Sequence, residues 1–202
     1  MKNRLLVAFA TAVVSLASPA VAGEPTDVLK SRVDRILALL DQPGNQRAEI
    51  RHVADEIFDF EEMSRRALGP HWNARTPNER REFTKLFADL LERSYVTRIE
   101  SGRGSKVQYV GETISGDDAT VRTRIFTAQK AEIPVDYRMR RNGNRWQIFD
   151  VSIEGVSLIN NYRSQFNSVI QSSSYAALVA RLRAKEPDAA ASPSSPRRSR
   201  RD

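Results

Sequence analysis

Between Trp146 and Leu182 the chain changes its apolar period, and that change constrains the fold more than any other feature. The run WQIFDVSIEGVSL carries apolar side chains at every second position, shifts phase between Ile148 and Phe149, and stops at Gly155. This is the signature of a half-buried strand carrying one bulge, which would bend a sheet. The next run, INNYRSQFNSVIQ, sets Ile159, Tyr162, Phe166, Val169 and Ile170 on one face at helical spacing, and YAALVARLR continues in the same manner. The last strand of a sheet therefore feeds an apolar-faced helix.

Upstream, helices come first. Val28, Leu29, Val33, Ile36, Leu37 and Leu40 form one stripe over residues 27–41, closed by Pro43-Gly44-Asn45. A second helix over 48–58 buries Ile50, Val53, Ala54 and Ile57. Asp59, with Glu62 three residues on, starts a short third helix that Gly69-Pro70 ends. Thr76-Pro77-Asn78-Glu79 is a capping box with proline at the first helical position. The helix it opens places Phe83, Phe87, Leu90, Leu91 and Tyr95 on one face. Gly102 and Gly104 mark the switch to strands, expected over 106–114, 118–128, 132–141 and 145–154. Ser115-Gly116-Asp117 and Asn142-Gly143 supply the turns. The expected fold class is α+β: a curved four-stranded antiparallel sheet, resembling an NTF2-like cone, packed with N-terminal helices and a C-terminal helical segment.

Alternation along these strands separates two chemistries. Val107 and Tyr109, Val121, Thr123 and Ile125, Val135, Tyr137 and Met139, and Trp146 and Ile148 face one way. Arg122, Arg124, Arg138 and Arg140 face the other, with Lys106, Gln108, Asp136, Arg145 and Gln147. An apolar face of this kind suits either a filled core or a ligand cavity. The basic face either solvates the sheet and pairs with acids or docks an acidic partner or anionic headgroups.

The N-terminus reads as an export signal: Lys2 and Arg4, an apolar run over 5–16, and Ala20-Val21-Ala22 as the cleavage site. The apolar run is shorter than the ~20 residues a spanning helix needs. Residues 23–186 then make one domain, and 187–202 (PDAAASPSSPRRSRRD) a basic tail with nothing to bury, expected to be disordered. Loss of Lys2 and Arg4 lowers the net charge from +7 to +5, and the tail holds +2 of that. The remaining balance is too mild for a nucleic-acid binder. With no cysteine in the chain, stability rests on burial rather than disulfides.

The ordered set Asp150-Val151, Glu154-Gly155-Val156-Ser157-Leu158, Asn161-Tyr162-Arg163 and Gln165-Phe166 resembles the MlaC family, the toluene-tolerance auxiliary proteins, which are periplasmic phospholipid carriers. Phe60, Leu68-Gly69, Trp72, Arg81-Glu82-Phe83, Phe87, Leu90 and Tyr95 extend the resemblance, which covers about Val28 to Arg183. It implies a diacyl phospholipid lying between sheet and helices, no cofactor, no metal and no catalytic residue. The implied lipid-lining residues are Tyr95, Val107, Tyr109, Val121, Ile125, Val135, Tyr137, Met139, Trp146, Val151, Tyr162 and Phe166. The implied partners are an inner-membrane ABC transporter complex with a lipid-binding ring protein and an outer-membrane lipoprotein complex, with Arg122, Arg124, Arg138 and Arg140 as docking residues on a monomer. A hopanoid or sterol-like lipid is the alternative cargo within the family.

An NTF2-like small-molecule enzyme is the competing class. Its candidate bases are few. His52 sits on the polar side of its helix, His71 lies in the Gly69-Pro70 break, and Asp150 falls in the phase shift, where a structural hydrogen-bonding role is the preferred reading. Two histidines and no cysteine disfavour a zinc site. Neither a glycine-rich phosphate loop nor a Gly-x-Ser-x-Gly elbow is present. Ser172-Ser173-Ser174 reads as a helix break and N-cap rather than a nucleophile.

Overall fold

A computed structural model describes residues 25–185 except Ser101, and leaves the side chains of 96–98 undescribed. The signal peptide and the basic tail read from the sequence lie outside these residues. Four helices come first: α1 (Pro25–Leu40), α2 (Arg47–Ile57), α3 (Phe60–Leu68) and α4 (Pro77–Glu100), with a 3-10 turn over Gly69–Trp72 between the last two. Strands β1 (Lys106–Ser115), β2 (Asp118–Phe126), β3 (Glu132–Asn142), β4 (Arg145–Ile153) and β5 (Val156–Ser157) follow, then α5 (Leu158–Ser172) and α6 (Tyr175–Ala184). The strands pair antiparallel in sequence order as one meander. Among the described residues no helix is long and apolar enough to cross a membrane.

The α+β class and the strand order agree with the sequence reading. One count changes: the sheet has five strands, not four. The fifth has two residues and pairs Ser157 with Ser152 and Val156 with Ile153. So short a strand leaves no periodic trace in a sequence.

Local signals account for most of the boundaries. Thr76 Oγ1 accepts from Glu79 N at 3.3 Å while Thr76 N donates to a Glu79 carboxylate oxygen at 2.7 Å, closing the capping box. The Asp59 carboxylate accepts from Glu62 N at 2.9 Å to start α3. Ser174 caps α6 through Ala177 N at 3.1 Å. Both tight hairpins turn on glycine at positive φ, Gly116 and Gly143, each at 61°.

Two bulges shape the sheet. On β4 the register passes from Arg138↔Asp150 to Met139↔Ile148, leaving Phe149 as the extra residue at the phase shift seen in the sequence. On β1 it passes from Tyr109↔Thr123 to Gly111↔Arg122, leaving Val110 extra. This second bulge swaps the faces of the rest of β1. Glu112 then lies opposite Val121 on the helix-covered face, where its carboxylate accepts from Thr26 N at 3.0 Å and Thr26 Oγ1 at 2.6 Å. A bulge thus ties the start of α1 to the sheet.

Candidate functional site

Cross-strand register arranges the inner face of the sheet in rows. Val107, Ile125 and Ile133 form the first, and Tyr109, Thr123, Val135 and Ile153 the second. Val121, Tyr137 and Val151 make the third, Met139 and Ile148 the fourth, with Trp146 beyond. Thr123, though polar, is satisfied, because its hydroxyl donates to the Val135 carbonyl at 2.9 Å.

The helices cover these rows unequally. Val121, Met139, Trp146, Ile148, Tyr162 and Phe166 are all at or below 4% exposure. They pack with Phe83 and Phe87 of α4, which meet Phe166 edge-on at 5.6 and 5.3 Å between ring centroids. Tyr162 meets Phe87 edge-on at 5.1 Å. Such pairs each add about 0.5–1.5 kcal/mol beyond the area they bury. This half of the interior is a sealed aromatic core.

At the other end, Tyr95, Val107, Tyr109, Ile125, Ile133, Tyr137 and Ile153 are only half buried. Val28 and Val33 of α1 lean over this end in the same partly covered state. Val135 and Val151 sit at the boundary between the two halves. The twelve lining residues expected from the sequence therefore share one interior face but divide into two environments. Val28, Val33, Ile133 and Ile153 belong with the half-open group and were not on that list. Ile133 and Ile153 follow from register once the strands are paired, whereas the two valines become visible only when α1 is docked.

The half-open end contains an unusual polar atom. The Tyr109 hydroxyl is buried and has no hydrogen-bond partner among the described residues. Burial pushes its pKa well above the ordinary phenol range, helped by the nearby Asp34 carboxylate and the Tyr137 phenol. Burial pushes Tyr137 up to about 12. Both therefore stay protonated and available as donors at any physiological pH. A buried hydroxyl without an acceptor costs about 1–3 kcal/mol, so Tyr109 calls for an acceptor that the described residues do not provide.

The opposite face of the sheet is basic, as its alternation implied, and its arginines have partners. Arg124 pairs with Glu132 at 3.0 Å, Arg140 with Asp118 at 2.7 Å and Glu62 at 3.2 Å, and Arg138 reaches Asp150 at 3.5 Å. Arg122 donates to Thr113 Oγ1 at 3.1 Å. Asp150 accepts from Ser157 Oγ at 2.7 Å and Ile159 N at 3.1 Å, which ties β4 to the start of α5 and matches the structural role preferred for it. His52 is exposed beside Glu56 at 3.2 Å, and His71 bonds Asn167 at 2.9 Å. Neither histidine lies in the half-open apolar zone. Among the described residues no group of three acids or histidines is placed to hold a metal ion.

A family profile described as MlaC protein matches residues 26–184. A curated relative, the intermembrane phospholipid transport system binding protein MlaC of Haemophilus influenzae, is 24% identical over 124 residues, 59% of this chain. That match spans 58% of the relative's own length. A solved structure, a phospholipid-binding protein from Ralstonia solanacearum in complex with a phospholipid, superposes with a TM-score of 0.73 at 26% identity, over 81% of this chain and 97% of that one.

Proposed function

The chain belongs to the MlaC family, and from that premise we propose that it is a periplasmic carrier holding one diacyl phospholipid against the half-open end of its apolar face. The observation that carries this reading is the unequal covering of that face. A core built only for stability would be sealed along its whole length, as it is around Phe87 and Phe166. Here the rows from Val107 to Tyr137 stay partly uncovered, beside a protonated phenol with no acceptor among the described residues.

The physics of the task needs little else. Each acyl CH2 kept from water is worth about 0.8 kcal/mol. Two chains of roughly 16 carbons therefore resist leaving a bilayer by something over 20 kcal/mol, and a carrier must offer an equivalent dry surface. It needs no bond-making chemistry. Aliphatic Val107, Ile125, Ile133 and Ile153 supply that surface, and Tyr95, Tyr109 and Tyr137 edge it with hydroxyl-bearing rings. The Tyr109 hydroxyl donates to an ester carbonyl of the bound lipid. An acyl ester supplies that acceptor and a hopanoid hydrocarbon skeleton does not, which favours phospholipid cargo.

In this reading the lipid passes between an outer-membrane lipoprotein complex and an inner-membrane ABC transporter complex with its ring protein, maintaining outer-membrane lipid asymmetry, with Arg122, Arg124, Arg138 and Arg140 contributing to docking. The test is native mass spectrometry of protein purified without detergent and then incubated with liposomes. One phospholipid mass per chain is expected. An unchanged apo mass after incubation rejects the proposal.

A further inference from the structure

Four residues that carried the family resemblance are not used by the lipid site. Gly69, Trp72, Asp150 and Arg163 come from separate segments, yet they line one surface pocket of about 300 Å³ between α3, β4 and the start of α5. Asp150 lies in register with Arg138, whose side chain alternates with the sealed Met139, so the pocket opens on the basic side of the sheet, away from the apolar rows. We infer that this pocket is a second binding site, which receives an acidic side chain of a partner protein.

The pocket is cationic by construction. Arg65 and Arg66 of α3, Arg138 of β3 and Arg163 of α5 all line it, against a single carboxylate, Asp150. That carboxylate is only 3% exposed and is already occupied by Ser157, Ile159 and Arg138. The Phe149 ring, turned outward by the β4 bulge, packs under the cations. Arg66 stands 4.1 Å from its centroid, Arg138 5.1 Å and Arg140 5.5 Å. Cation–π contact lets like charges gather there without neutralising them.

Glu62, beside the rim, is committed to Arg65 and Arg66 at 2.6 Å each and to Arg140 at 3.2 Å. Arg163 differs from its neighbours. It is exposed, and among the described residues no carboxylate pairs with it. Its guanidinium lies along the backbone of Gly69, where a Cβ would meet Nε at 3.0 Å. Gly69, at φ 54°, thus provides both the left-handed turn that ends α3 and the space in which Arg163 rests.

The arrangement fits an inserted side chain better than a flat surface. A guanidinium fork binds a carboxylate through paired hydrogen bonds, and a concave site admits one residue. Its apolar walls, Phe149, Ile159 and Trp72, are 1%, 3% and 5% exposed, so nothing here inserts into a bilayer.

Fluorescence anisotropy of a labelled hexaglutamate peptide with the full-length protein tests the inference, with phosphatidylglycerol vesicles and inorganic phosphate as parallel ligands. The wild-type protein should bind the peptide saturably and lose it as salt rises. Arg163→Glu should weaken binding by about tenfold or more, the equivalent of one charge-assisted pair. Lys106→Glu, an exposed cation on the same face but outside the pocket, should change it by less than about twofold. Melting temperatures of both variants should stay near wild type. Absent or non-saturable peptide binding overturns the inference, as does equal weakening by both variants. Vesicle binding that depends on Arg163 without peptide binding assigns the pocket to membranes instead. Competition by millimolar phosphate with no peptide affinity reduces it to a free-anion site. A large fall in melting temperature for Arg163→Glu, with peptide binding intact, makes the residue structural. Lipid occupancy by native mass spectrometry is unaffected in every one of these outcomes, so the lipid proposal stands or falls separately.

Discussion

The two ends of one apolar sheet face are built from similar residues and finished differently. Around Phe83, Phe87, Tyr162 and Phe166 the rings interlock at 5.1–5.9 Å and no side chain there exceeds 1% exposure. Around Val107, Tyr109, Ile125 and Tyr137 the same alternation meets only the thin cover of α1 and Tyr95 of α4, and the side chains stay half buried. The contrast teaches that composition along a strand records which face is dry, while the helices decide whether that face is core or binding surface. The sealed end fixes the shape of the sheet. In the proposed reading the other end is then free to exchange its lipid.

The sharpest way to break this contrast is truncation at each end. Phe87→Ala or Phe166→Ala should cost about 3–5 kcal/mol in urea unfolding, the usual penalty for emptying a close-packed aromatic site. Ile125→Ala should cost less than about 1.5 kcal/mol, because its surroundings are not filled to core density. Equal costs at both ends would erase the distinction.

Enlargement gives the next effect. Met139→Trp, at a residue with 0% exposure, should overpack and destabilise by about 1–3 kcal/mol. Ile125→Trp should leave the melting temperature nearly unchanged and lower the lipid bound after purification. Both quantities are measured on the same samples, and a stable Met139→Trp protein that has lost its lipid would move the cargo into the sealed end.

Tyr109→Phe sharpens the chemistry. It should weaken binding of a diester phospholipid by about 1 kcal/mol, the worth of one hydrogen bond, and leave a diether analogue of equal chain length unaffected. Equal losses for the two lipids would show that the hydroxyl serves packing alone.

The phenols also fix a pH dependence. Their folded pKa values lie above the unfolded value near 10, so above that pH the unfolded chain has lost protons that the folded chain keeps. Stability should therefore be level in this respect below about pH 10 and fall toward pH 12. Tyr137→Phe should flatten that fall in urea titrations, and an unaltered slope would mean that Tyr137 ionises freely. The smallest effect belongs to the exposed pair Arg124–Glu132, where charge reversal should alter stability by no more than about 0.5 kcal/mol.

What was legible in the sequence was local. The Thr76 box, the Asp59 and Ser174 caps, the glycine turns and the Phe149 bulge each depend on residues a few positions apart, and each stands as read. The Val110 bulge escaped because Val110-Gly111-Glu112 keeps no clear alternation to break. With it went the reversed face of Glu112 and its hold on α1. The division of the twelve lining candidates escaped for a different reason. Val121 and Ile125 are equivalent in pattern, and only the docking of α1, α4 and α5 makes one sealed and the other half open. The pocket at Arg163 was spelled out in pieces, since Gly69, Trp72, Asp150 and Arg163 all stood in the signature. Their convergence needed the fold.

The central claim is that the lipid lies at the half-open end of the apolar face and not within the aromatic core. The most direct measurement is to load the protein with a phospholipid bearing a diazirine in its acyl chain, irradiate, and map the adducts by peptide mass spectrometry. The account predicts adducts on Val107, Tyr109, Ile125 and Tyr137 and none on Phe83, Phe87, Tyr162 or Phe166. Adducts concentrated on those α4 and α5 aromatic residues, or no adduct on either group, would contradict it.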